Sequence, residues 1–196
     1  MNRGAEPCQD ATVQSNGSRS ALLVVDVQEA VLVGCLDVAG VITRINELLG
    51  RARAAGVAVV FIQHQDAVDP EMTEGSLGWQ LAEALDRRSG DTVVAKTYRD
   101  SFADTDLGAI LAKFGTQRIV VTGAHSDFCV ATTALSALPR GYDVTLVADG
   151  HTTRPASLAG TEVSAEAIVA FVNSRLATLR HPGQTVEVLP AADISF

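Results

Sequence analysis

The sequence is short of cysteine, of basic residues and of long apolar runs, and each shortage removes a class of protein. Its three cysteines, Cys8, Cys35 and Cys129, are too few for a disulfide framework and lack the spacing of a metal knuckle. Lys and Arg number 15 against 23 Asp and Glu, and this net charge of −8 argues against a nucleic acid partner. Since no apolar run approaches the roughly 20 residues that cross a bilayer, we expect no membrane partner.

The remaining composition predicts one globular domain behind a polar segment. Residues 1–19 lack periodicity and contain no apolar stretch of the kind found in a secretory signal. We expect them to form a flexible N-terminal tail, followed by a single domain over residues 20–196 of a cytoplasmic protein. Hydrophobic residues make up 47% of the chain, enough for a sizeable core, which excludes wholesale disorder.

Short apolar segments alternate with segments of helical period along this domain. The short ones are apolar along most of their length, which is typical of strands covered on both faces, and they span 21–25, 57–62, 92–95, 118–122, 143–148 and 185–189. This alternation predicts an α/β fold, a Rossmann-like three-layer α/β/α sandwich with a six-stranded, mainly parallel sheet. A ligand crevice is expected at the carboxyl ends of the strands, where the strand order reverses.

Three chemically useful residues stand at or just after predicted strand ends: Asp26, Lys96 and Cys129. Taken singly, the Asp can fix a turn, the Lys can be a solvated charge and the Cys can be a small buried hydrophobe. Taken together, an acid, an ammonium and a thiol are what acyl transfer through a thioester needs. Cys129 begins the helical stretch CVATTALSAL, so the helix dipole and a nearby Lys96 are expected to favour its thiolate.

The chain resembles the isochorismatase-like cysteine hydrolases, a family that includes nicotinamidases, carbamoyl-amide hydrolases and isochorismatases. The resemblance is carried by LLVVDVQ (22–28), GSLGWQL around Trp79, VVAKTYRDSFADTDL (93–107) and VVTGAHSDFCVATTALSALPRGYDVTLVADGHTT (120–153). It covers nearly everything from Ala21 to Phe196, and the segments are specific when taken jointly and in order.

The resemblance implies a catalytic triad of Asp26, Lys96 and Cys129 that hydrolyses a small molecule without a cofactor. It implies an oxyanion hole built from the backbone N–H groups of His125 and Cys129, and a cis peptide bond between Ala124 and His125. It further implies a homo-oligomer, a dimer or a tetramer, in which a neighbouring subunit helps to shape the pocket.

Departures from the family pattern narrow the expected chemistry. Isochorismatases proper tend to lack the cysteine, so Cys129 favours hydrolysis of a C–N bond of the amide type. Metal-containing members carry an Asp and several His after the second strand, whereas only His64 and Asp66 stand there. We therefore expect no metal, since catalytic metals usually take three protein ligands. Hydrolysis of a vinyl ether and a catalytically silent binding or redox scaffold stay open as alternatives, and the absence of GxGxxG after the first strand disfavours a dehydrogenase.

Further residues are predicted to bind the substrate, each with a structural alternative. Gln28 either orients a polar group or caps a turn. Tyr98 and Phe102 either form an apolar wall or pack in the core. Trp79 either stacks on the substrate or covers a subunit contact, and the long loop 63–80 is expected to shape the pocket. Ala124 is included because it precedes the expected cis bond.

Overall fold

The fold is built on one parallel sheet, seen in a computed structural model that describes residues 19–196. Cys8 and nearly all of the predicted tail lie outside the described residues. Within them the strands are β1 (Ser20–Val25), β2 (Ala58–His64), β3 (Thr92–Lys96), β4 (Arg118–Ala124), β5 (Asp143–Thr152), β6 (Ala156–Leu158), β7 (Thr161–Val163) and β8 (Val186–Leu189). The large sheet has the order β3–β2–β1–β4–β5–β8, and every neighbouring pair in it is parallel.

Helices cover both faces of this sheet, which gives the predicted three layers. They are α1 (Val38–Ala54), α2 (Leu107–Lys113), α3 (Ala131–Ala137) and α4 (Ala165–Ala177). α1 packs on one face with Leu22 and Val24 of β1, while α2, α3 and α4 pack on the other face with Leu23 and Val25. Because β1 is buried on both faces, its sequence is apolar from Ala21 to Val25 instead of alternating.

The predicted fold class is confirmed, with two additions that the sequence pattern did not indicate. β5 runs four residues past its predicted end at 148, after a register shift against β4 between Val121 and Gly123. β6 and β7 form a separate antiparallel hairpin. No helix within residues 19–196 has the length and apolar character needed to cross a membrane.

Candidate active site

The strand order reverses at β1, and the three predicted catalytic residues meet at the carboxyl end of the sheet at that point. β1 leads to β2 and β3 on one side, whereas β4 lies on its other side. Asp26 follows β1, Lys96 is the last residue of β3, and Cys129 lies in a π-helical turn, Ser126–Val130, directly after β4. Open α/β sheets bind ligands at such a switch point.

Lys96 joins the other two residues of this site. Its Nζ lies 2.7 Å from Oδ2 of Asp26 and 3.3 Å from Sγ of Cys129. The side chains of Lys96 and Asp26 are 0% and 2% exposed, so the ion pair is shielded from bulk water. Removing either partner of such a buried pair would leave the other uncompensated.

Backbone geometry brings Asp26 close to the π-helical turn Ser126–Val130, the nucleophile turn, so named for the predicted role of Cys129. Asp26 adopts a left-handed conformation with φ of 50°, and its N–H donates to the carbonyl of Ile62 at 2.9 Å. Gly123 in β4 has φ of 117°, and a Cβ there would lie 2.0 Å from the carbonyl oxygen of Val25. Only glycine allows β4 to approach β1 this closely at the residue before Asp26.

The nucleophile turn begins directly after a cis peptide bond between Ala124 and His125. The carbonyl of His125 accepts the N–H groups of Phe128 and Val130, each at 3.2 Å, on either side of Cys129. Nε2 of His125 donates to the carbonyl of Val31 at 2.8 Å, which fixes the imidazole beside the pocket. π-Helical turns of this type are frequent at functional sites.

The surroundings of Cys129 disfavour the thiolate that the sequence predicts. Burial and the negative charge of Asp26 raise the pKa of this thiol to about 12, and Lys96 offsets only part of that rise. Cys129 lies in the π-helical turn Ser126–Val130, which runs directly into α3 at Ala131.

A cavity of about 260 Å³ opens onto two of the three residues, Asp26 and Cys129, while Lys96 lies behind its wall. Its walls come from the β1–α1 connection, the long loop after β2 and the nucleophile turn, with lining residues Asp26, Ala30, Val31, His64, Asp69, Glu71, Met72, Arg99, His125, Phe128, Cys129 and Arg154. A cavity of this size admits a small molecule or one end of a larger one.

Comparison with known proteins assigns the chain to a family. The model of the isochorismatase domain matches residues 20–172, which include Asp26, Lys96 and Cys129. The chain belongs to the isochorismatase family. A cysteine hydrolase of Pseudomonas syringae pv. phaseolicola has the same fold, with a TM-score of 0.82 over 91% of each chain at 24% identity.

Two characterised groups of isochorismatase-family hydrolases are similar to the chain. A streptothricin hydrolase of Streptomyces noursei is 39% identical over 175 residues, which is 88% of this chain and 62% of that protein. The ureidoacrylate amidohydrolase of Pseudomonas syringae pv. syringae is 30% identical over 183 residues, 73% of this chain and 74% of that protein. The chain thus spans less than two thirds of the first of these relatives.

Several residues predicted to bind the substrate lie elsewhere in this isochorismatase fold. Gln28 is fully buried, and its amide donates to the carbonyls of His64 and Trp79 and accepts the N–H of His64, so no amide hydrogen is left for a ligand. Trp79 lines a different cleft together with Gln63 and Leu85. Both residues shape the site only indirectly, because Gln28 ties the end of β2 to the loop that carries Trp79.

The predicted apolar wall is also absent from the cavity. Phe102 is 8% exposed and stacks on Tyr142 with ring centroids 5.8 Å apart, so it belongs to the core. Tyr98 is 56% exposed and lies outside the cavity lining. Ala124 is fully buried among the α1-side core residues and contributes only the peptide bond to His125.

The aromatic and cationic residues that do line the cavity were missed by the sequence reasoning. Phe128 directly precedes the nucleophile, and the guanidinium of Arg99 lies 4.0 Å from the centroid of its ring. Arg154 follows the end of β5, and Met72 comes from the long loop. The length of loop 63–80 and the position of Phe128 beside Cys129 are signals that point to these residues. A sequence pattern does not show which of their side chains face the cavity.

His64 and Asp66 make separate local contacts. Nδ1 of His64 lies 3.3 Å from the ammonium of Lys96. Burial and the charge of Lys96 lower the pKa of His64. Asp66 accepts the N–H of Val68 within its own turn, and residues 19–196 contain no group of three metal-ligating side chains.

Proposed function

We propose that the chain is a cysteine hydrolase that cleaves an amide-type C–N bond of a small molecule through a thioester on Cys129. The observation that carries the proposal is the buried Lys96 ammonium, which lies 2.7 Å from the Asp26 carboxylate and 3.3 Å from the Cys129 sulfur, two groups that line a cavity. The amide chemistry is also supported by the streptothricin hydrolase and the ureidoacrylate amidohydrolase to which the chain is similar.

Acylation begins with transfer of the thiol proton to Asp26. The raised pKa of Cys129 means that the thiolate forms only as it attacks, and the adjacent carboxylate is the base that receives the proton. The sulfur bonds to the carbonyl carbon, and the C=O electron pair moves to oxygen. Lys96 stabilises the negative charge that moves through the site and holds Asp26 in place.

The oxyanion is assigned to the backbone N–H groups of His125 and Cys129. One such donor is commonly worth about 2.7–4 kcal/mol of transition-state stabilisation. When the tetrahedral species collapses, the C–N bond breaks and Asp26 returns its proton to the departing nitrogen. Asp26 then takes a proton from water, whose oxygen bonds to the thioester carbonyl carbon. The C–S bond breaks, the carboxylic acid leaves, and Asp26 returns the proton to the sulfur to restore the thiol.

The cavity lining favours a substrate that carries charged or strongly polar groups. Arg99 and Arg154 contribute positive charge, Asp69 and Glu71 contribute negative charge, and the ion pairs of the described residues include neither arginine. Phe128 and Met72 supply apolar surface for the rest of the molecule.

The proposal is tested with streptothricin and ureidoacrylate as probes, by following cleavage of each with liquid chromatography and mass spectrometry. We expect hydrolysis of at least one probe by the wild type and loss of at least about 1,000-fold in Cys129→Ala and Cys129→Ser, because the nucleophile is removed. Cys35→Ala is the matched control, since Cys35 is a free cysteine outside the cavity lining. Cleavage that survives in Cys129→Ala would contradict the thioester route.

A further inference from the structure

A buried hydrogen-bonded chain of side chains ends on the nucleophile turn and has no role in the mechanism described above. Oγ of Ser126 lies 2.7 Å from Nδ1 of His151, and Nε2 of His151 lies 2.9 Å from Oδ1 of Asn173. Nδ2 of Asn173 in turn contacts the carbonyl of Ala148 at 2.9 Å. Ser126 and His151 are 0% and 3% exposed, so water does not compete for these groups.

The direction of every hydrogen bond in this chain follows from its far end. The carbonyl of Ala148 can only accept, so Asn173 donates to it through Nδ2 and presents Oδ1 to His151. His151 must then carry its proton on Nε2 and accept at Nδ1, which makes the Ser126 hydroxyl the donor. Burial lowers the pKa of His151, which disfavours the doubly protonated ring that would donate at Nδ1.

Ser126 is not a second nucleophile, although a serine, a histidine and an asparagine in contact suggest one. Its side chain is fully buried and absent from the cavity lining, so a substrate carbonyl cannot reach it. Serine hydrolases also present Nε2 of the histidine to the hydroxyl, whereas here Nδ1 faces Ser126.

The hydrogen-bonded side chains instead anchor the nucleophile turn, next to the proposed oxyanion donors. Ser126 is the first residue of the π-helical turn, directly after His125 and three residues before Cys129. His151 lies on β5 in register with Gly123 of β4, and Asn173 lies on α4, so both anchors belong to regular elements. A second tie, from the Thr153 hydroxyl to Oδ1 of Asp127 at 2.8 Å, holds the next residue of the same turn.

We infer that Ser126, His151 and Asn173 are positioning residues that hold the His125 and Cys129 N–H groups at the oxyanion site. The inference rests on the proposed function, since it gives those two N–H groups their task. Misplacement of such a donor reduces the stabilisation of the oxyanion in the transition state. It leaves the nucleophile unchanged, because the thiol, Asp26 and Lys96 are held by other contacts.

The test compares two reactions of Cys129 that differ in their need for an oxyanion hole. Acylation by p-nitrophenyl acetate passes through a tetrahedral oxyanion and is followed by the release of p-nitrophenolate. Alkylation by iodoacetamide is a displacement at carbon and forms no oxyanion. In Ser126→Ala we expect acylation to slow by about tenfold or more, while alkylation of Cys129 stays within about twofold of the wild type.

Two substitutions of His151 separate the contributions of its hydrogen bonds to Ser126 and to Asn173. His151→Gln places its amide near the former Nε2 and loses the acceptor for Ser126, so it should match Ser126→Ala. His151→Asn places an amide oxygen near the former Nδ1 and keeps that acceptor, so it should restore much of the acylation rate. Thermal unfolding followed by circular dichroism checks each variant, and Ser126→Ala carries the test if a His151 variant does not fold.

The outcomes distinguish the positioning role of Ser126, His151 and Asn173 from the proposed function. Acylation that Ser126→Ala leaves unchanged, or acylation and alkylation that fall together, would overturn the positioning role alone. Failure of p-nitrophenyl acetate to acylate Cys129 in the wild type would overturn the proposed function and the positioning role with it.

Discussion

At the scale of single residues, Asp26 and Lys96 have opposite effects on the pKa of Cys129. Burial and Asp26 raise the pKa of the thiol, and Lys96 lowers it, with the sum well above the ordinary value. In the proposed mechanism the nucleophile therefore forms by proton transfer to Asp26, in contrast to cysteines that rest as thiolates. This difference makes the roles of the two charged residues separable by experiment.

Replacing Asp26 by Asn should have opposite effects on alkylation and on hydrolysis. Loss of the carboxylate removes the charge that raises the pKa of Cys129 and leaves Lys96 beside it, so the pKa falls and more thiolate is present near neutral pH. We expect faster iodoacetamide alkylation of Cys129 between pH 7 and 9, measured by peptide mass spectrometry, together with loss of amide hydrolysis. Cys35, whose pKa is raised to about 11 by burial, serves as the internal reference in each digest. Slower alkylation in Asp26→Asn would contradict this electrostatic account.

Removing the ammonium should instead reduce stability. Lys96→Met leaves the Asp26 carboxylate buried without its partner, a change that typically costs about 3–5 kcal/mol of unfolding free energy. Urea denaturation at pH 7 measures the loss, and Lys113→Met at the exposed end of α2 is the control with no expected effect. Equal stability of the two variants would show that the pair contributes no net stabilisation.

At the scale of secondary-structure elements, the site depends on the close approach of β1 and β4. Gly123→Ala would place a Cβ 2.0 Å from the Val25 carbonyl oxygen at a φ of 117°, so we expect a loss of at least about 3 kcal/mol or failure to fold. Gly50→Ala is the control within helix α1, where a Cβ meets nothing within 4 Å, and it should stabilise by about 0.5–1 kcal/mol. Thermal unfolding compares the two, and equal effects would contradict the packing argument.

The elements themselves were largely predictable, and the shape of the pocket was not. Apolar runs covered on both faces identified each strand of the sheet, because burial constrains every position of β1. Strand ends then located Asp26, Lys96 and Cys129. Whether Gln28, Phe102 or Phe128 faces the cavity depends on loop conformation and on competition for backbone partners, which a single sequence does not encode in a readable pattern.

At the scale of the whole molecule, the candidate active site lies where topology brings three separate strand ends together. Chain segments about 30 to 100 residues apart contribute to one ion pair and one thiol, so the site exists only in the folded sheet. Homo-oligomerisation stays a prediction. Light scattering on the purified chain should give a mass two or four times its 20.5 kDa, and a single-chain mass would contradict the expectation.

The central claim, that Cys129 carries an acyl intermediate hydrolysed with the help of Asp26, is tested most directly by locating the acyl group. Wild type and Asp26→Asn are mixed with p-nitrophenyl acetate, quenched in acid after increasing times and mapped by peptide mass spectrometry. We expect an acetyl group on Cys129 that the wild type clears and that persists in Asp26→Asn, because the variant lacks the base that activates water. An acetyl group absent from Cys129, or cleared equally fast by both proteins, would contradict the account.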